Sequence, residues 1–83
     1  MIKTVKLKTA GNKTLFKLGN KILAEITSGQ DGKYHVYIPF TAYSGIGREF
    51  FTFSEAVNGV KRHALDYLPE GIKLDNTVLE LIK

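Results

Sequence analysis

Gly29-Gln30-Asp31-Gly32-Lys33-Tyr34-His35-Val36-Tyr37-Ile38-Pro39 joins a turn signal to the clearest strand of the chain. Tyr34, Val36 and Ile38 alternate with Lys33, His35 and Tyr37, the two-residue period that sends successive side chains to opposite faces of a sheet. Pro39 has no amide to donate, so it ends this strand or places it at an edge.

Three more strands are read on the N-terminal side. Ile2 to Lys8 alternates around Val5 and Leu7, and Gly11-Asn12 follows as a turn. Thr14 to Leu18 and Lys21 to Thr27 flank Gly19-Asn20, a two-residue connection of the kind that closes tight hairpins. On the C-terminal side, Thr41 to Gly47 reads as a loop and Arg48 to Phe53 as a fifth, Phe-rich strand.

Thr52-Phe53-Ser54-Glu55 then matches a capping box, with Ser54 as the competing cap. Val57, Val60, Ala64, Leu65 and Leu68 follow at helical spacing, and the helix should end near Leu68 because Pro69 disfavours helical geometry in the residue before it. Ile72 to Leu74 reads as a short strand and Asn76 to Lys83 as a two-turn helix that needs docking to persist. The expectation is one α+β domain over residues 1–83: an antiparallel β-meander of four or five strands, one main amphipathic helix on one face, and a short C-terminal helix or strand.

Composition bounds what such a domain does. At 83 residues and 43% hydrophobic content the chain can bury a core but is too short for two. Zero cysteines exclude disulfides, thiolate metal sites and a thiol nucleophile. No signal peptide and no apolar run of about 18 residues is present, which leads us to expect a cytoplasmic protein without a membrane span. The net charge is +4, and the basic excess belongs to the first 33 residues.

Alternation assigns that charge to a face. If the helix covers Val5, Leu7, Phe16, Leu18, Tyr34, Val36, Ile38, Phe51 and Phe53, the opposite face holds Lys6, Lys8, Leu15, Lys17, Leu23, Glu25, Lys33, His35, Tyr37, Arg48 and Phe50. Cations there would follow phosphates and rings would stack on bases, the requirements of single-stranded nucleic acid. Lys6, Lys8, Lys17, Lys33, His35, Tyr37, Arg48 and Phe50 are therefore the candidate nucleic-acid contacts. The competing reading is ordinary: lysines on an antiparallel face also solubilise it and protect its edges. Tyr43 and Ile46 are unusually apolar for a loop tip, so the loop is read as presenting Tyr43, Ile46 and Arg48 to a partner.

Evidence for catalysis is lacking in the sequence. The carboxylates are scattered without a close pair for acid–base work, and neither His35 nor His63 has a carboxylate or a second histidine at metal-ligand spacing. Gly45-Ile46-Gly47 lacks the third glycine and following helix of a dinucleotide site. We expect no enzyme, no cofactor and no metal.

Two resemblances attach to residues 21–68. The Asp31-Gly32 turn, Tyr34-His35-Val36-Tyr37 and a strand entering Phe53-Ser54-Glu55-Ala56-Val57 resemble the Pur-alpha repeat and the transcriptional-coactivator modules. That likeness implies single-stranded DNA binding on a curved antiparallel sheet, and dimerisation. The same segment is similar to HicB-type antitoxins through Asp31-Gly32, Tyr34-His35-Val36-Tyr37-Ile38-Pro39 and Thr52-Phe53-Ser54-Glu55-Ala56. It departs from them in being basic and in its longer Pro39-to-Glu55 connection. This second likeness implies a small inhibitor, antitoxin-like or phage-encoded and anti-defence, that occupies a host or cognate protein. Nucleic-acid binding leads and protein inhibition is the alternative.

Overall fold

Two glycine-asparagine turns start the sheet. Gly11 and Gly19 adopt φ of 60° and 63°, and among the described residues no non-glycine has positive φ, the pattern of a II′-type hairpin turn with glycine at its first central position. They join β1 (Lys3–Ala10) to β2 (Lys13–Leu18) and β2 to β3 (Lys21–Ser28). The computed structural model describes residues 3–39 and 48–82, and within them β4 (Tyr34–Tyr37) and β5 (Glu49–Phe50) extend the meander antiparallel.

A sixth strand changes the sheet type. β6 (Ile72–Leu74) lies parallel to β1, with Lys3 opposite Ile72 and Val5 opposite Leu74, so the sheet is mixed in the order β5-β4-β3-β2-β1-β6. α1 (Phe53–His63) and a 3-10 turn (Leu65–Tyr67) intervene between β5 at one edge and β6 at the other, and α2 (Asn76–Leu81) follows β6. The fold is α+β, with a main helix packed on a sheet and a short C-terminal helix.

The helix starts where its cap dictates. Thr52 Oγ1 accepts from the Glu55 amide at 3.1 Å and donates to Glu55 Oε1 at 3.1 Å, so Thr52 is the cap and Ser54 lies inside the helix. The helical geometry breaks earlier than the spacing predicts, at Ala64 (φ −132°), and the 3-10 turn continues to Tyr67. Leu68 is then extended (φ −70°, ψ 143°), as the following Pro69 requires.

The two helices cover different parts of the inner face. α1 packs over β3, β4 and β5, whereas α2 packs on β1. Val5, Phe16, Ala24, Ile26, Val36 and Ile38 meet Ala56, Val57 and Val60 of α1 and Val78 of α2 in one buried cluster. Each fully buried valine, isoleucine or phenylalanine contributes about 1.5–3 kcal/mol relative to exposure. Among the described residues no polar side chain is buried and no helix is long and apolar enough to cross a membrane.

Three face assignments need correction. The β2–β3 register shifts between Phe16 and Lys17, so Phe16 pairs with Ala24 but Lys17 pairs with Ile22. Leu23 is the extra residue of this bulge and is buried with Ala24, instead of standing on the open face. Phe50 pairs with Tyr34 and packs against the core cluster, while Phe51 is 76% exposed. The strand ends at Phe50, so alternation does not carry on to Phe51 and the two exchange inside and outside, while Phe53 packs inward at the start of α1 as expected.

Candidate nucleic-acid interface

Strand pairing builds the open face as rows across the sheet. One row runs Glu49, His35, Thr27, Lys13, Ala10; the next runs Tyr37, Glu25, Leu15, Lys8. A third sets Ile22, Lys17 and Lys6 side by side, and Thr4 stands beside Lys73 of β6. The pattern separates charges by strand.

The β6–β1–β2 side collects lysines. Lys6 is directly opposite Lys17 in an antiparallel pair, a position where like charges repel and cost stability. Lys8 follows Lys6 on the same strand, about 7 Å further along the same face. Lys6, Lys8 and Lys17 line an open depression of about 790 Å³ whose lining includes no carboxylate. It wraps around the end of the sheet to Lys3 and Lys21, whose partners Ile72 and Leu18 pack against the core on the other face. The acid nearby is Asp75, the cap of α2. Its carboxyl is held below the usual aspartate range first by the Thr77 amide, then by the Thr77 hydroxyl, with a smaller pull from Lys6. Among the described residues, no carboxylate comes within 4.0 Å of Lys6, Lys8 or Lys17.

The β3–β4–β5 side is neutralised by contrast. Lys13 Nζ lies 3.2 Å from Glu25 Oε1, Lys33 Nζ lies 3.1 Å from Glu49 Oε2, and His35 Nε2 lies 3.2 Å from Asp31 Oδ2. The Lys33 amide, donating to Asp31 Oδ1 at 3.0 Å, is the main reason that carboxyl titrates below its ordinary value, with His35 adding to it against a slight loss of hydration. Lys33 Nζ also sits 5.7 Å from the centre of the exposed Phe51 ring.

The expected contacts divide accordingly. Lys6, Lys8 and Lys17 share one surface, and Tyr37 stands on the same face, half exposed, at the far end of the row that begins at Lys8. Lys33 and His35 share that face but hold acidic partners. Phe50 leaves it. Arg48 is exposed, its carbonyl accepts from the Val36 amide at 3.1 Å, and it does not belong to the lysine rows. Tyr43 and Ile46 lie outside the described residues. Sequence reasoning missed the exposure of Phe51, and it missed that Asp31 and Glu49 meet His35.

No protein-family model matches the chain, and no curated protein and no solved structure matches it.

Proposed function

We propose that the protein is a non-enzymatic binding module for single-stranded DNA or RNA, with the lysine side of the open sheet as its phosphate-binding surface. The observation that carries this reading is the Lys6–Lys17 cross-strand pair, with Lys8 beside it on the open face and no carboxylate within 4.0 Å of the three among the described residues. A repulsive pair in the middle of a sheet has no stabilising role. Bringing a polyanion to it relieves the repulsion and releases counterions. β6 covers β1 only from Lys3 to Val5, so edge protection accounts for Lys6 and Lys8 beyond it but not for Lys17, which lies on the interior strand β2.

Tyr37 supplies the stacking ring. Three strand spacings separate it from Lys8, about 14 Å, so a strand crossing the sheet would reach both within a few nucleotides. Stacking there contributes about 1–3 kcal/mol per base. Fluorescence anisotropy with labelled single strands tests the reading. Three to five neutralised phosphates predict a slope of log K against log salt of roughly −2 to −3.5. Binding that is undetectable at micromolar protein, or indifferent to salt, would overturn it.

A second reading has its own observation. Phe51 and Tyr67 are 76% and 78% exposed, large rings that the core does not cover. A protein partner covering Phe51 is the inhibitor function, in which a host or cognate protein is occupied. Purification from the native host separates the two: a stoichiometric protein without nucleic acid supports the inhibitor.

A further inference from the structure

Asp31, His35 and Glu49 each offer one donor atom, and these atoms all lie within 4.8 Å of one another. Two independent features of the fold bring them together. The turn after β3 fixes Asp31 through its bond from the Lys33 amide, and the β4–β5 pairing sets Glu49 directly opposite His35. His35 Nε2 faces both Asp31 oxygens, at 3.3 Å and 3.2 Å. A tetrahedral ion with bonds of about 2.0–2.1 Å holds its ligand atoms roughly 3.3 Å apart, so the Asp31–His35 spacing already fits one edge of such a site. Glu49 is exposed, holds Lys33 at 3.1 Å, and offers its donor atom within 4.8 Å of the other two.

Gly29 gives a separate indication. Its φ is not positive, so the turn does not require glycine for its backbone. A Cβ at Gly29 would nonetheless stand 2.6 Å from Asp31 Oδ1 and 2.8 Å from His35 Nε2, closer than real side chains approach. The glycine therefore keeps clear the space in which the two donors meet.

We propose that Asp31, His35 and Glu49 form a binding site for a divalent transition metal of the zinc class, with water completing the coordination. One imidazole nitrogen and two carboxylate oxygens suit zinc, whereas magnesium favours an all-oxygen octahedral set. The ion takes the Nε2 lone pair and releases the proton held there in protonated His35. It also displaces Lys33 from Glu49 and ties the turn after β3 to β5, the shortest strand of the sheet. The lysine surface is not involved, so this site stands or falls separately from nucleic-acid binding.

Calorimetric titration of the full chain with zinc chloride near neutral pH tests it. We expect one ion per chain with micromolar affinity, little heat from magnesium chloride, and a loss of about tenfold or more in His35→Ala and Gly29→Ala. Lys33→Ala, which removes the competitor for Glu49, should bind zinc more tightly. Circular dichroism checks that the variants fold, and Glu49→Gln replaces Gly29→Ala if the latter does not. Millimolar or weaker binding by the unaltered chain, or undiminished binding by His35→Ala, overturns the proposal.

Discussion

The two sides of the open sheet face treat their cations oppositely. On β3, β4 and β5, Lys33 and His35 each meet a carboxylate, and Lys13 reaches across from β2 to Glu25. On β6, β1 and β2, Lys6 and Lys17 face each other without one. Exposed ion pairs contribute only about 0–1 kcal/mol each, so pairing is not what holds the first side in place. What differs is availability. A net charge of +4 says little about partners until its unpaired part is located, and Lys6, Lys8 and Lys17 gather three such cations over β1 and β2.

The largest effect we expect would remove both sides together. Phe16 is fully buried, opposite Leu7 and Ala24 and next in sequence to Lys17, so Phe16→Ala should cost about 3–5 kcal/mol in chemical denaturation. A cost below about 1 kcal/mol would mean that the sheet is not packed as described.

Lys17→Glu separates function from stability more sharply. It replaces a repulsive cross-strand pair by an attractive one, so stability should rise by about 0.2–1 kcal/mol while affinity for single strands falls by at least about tenfold. A variant that is destabilised and binds normally would show that Lys17 serves the fold. On the neutralised side, Lys33→Ala should change stability by less than about 1 kcal/mol and leave nucleic-acid affinity within about threefold.

Acid should act on one group from each side, with the smallest effect. Asp31 and Asp75 both have folded pKa values below the ordinary aspartate value. Each therefore contributes stability that is present above about pH 4 and is lost as the pH falls through its folded value. Melting temperatures measured from pH 6 downwards should fall less steeply in Asp31→Asn and in Asp75→Asn than in the unaltered chain. Identical acid limbs would show that neither carboxyl is held as its hydrogen bonds indicate.

Much of this fold was legible because its signals are local. Gly11-Asn12 and Gly19-Asn20 sit where the hairpins turn, Thr52 and Glu55 cap the helix, and Ile72 to Leu74 forms the strand its residues predict. The partner of that last strand was not legible, since its parallel pairing with β1 depends on where α1 delivers the chain. The Leu23 bulge was hidden for a related reason: alternation counts residues and cannot show an inserted one. In the site, Lys6, Lys8, Lys17 and Tyr37 followed from period-two reading within strands that kept their phase. Phe50 failed because β5 is only two residues long, too short for alternation to fix its face. Glu49 joins Asp31 and His35 through pairing between β4 and β5, which no sequence spacing reports.

A charge-matched pair of triple variants tests the lysine surface most directly. Lys6→Ala/Lys8→Ala/Lys17→Ala and Lys13→Ala/Lys33→Ala/Lys61→Ala both lower the net charge from +4 to +1, but the second set removes only lysines that already hold carboxylates. Salt-dependent anisotropy with a labelled single strand compares them. We expect the first variant to lose roughly 2 from the slope of log K against log salt, and the second to keep its slope within about 0.5 of the unaltered protein. Equal losses would reduce the effect to net charge alone and contradict a phosphate-binding surface on β1 and β2.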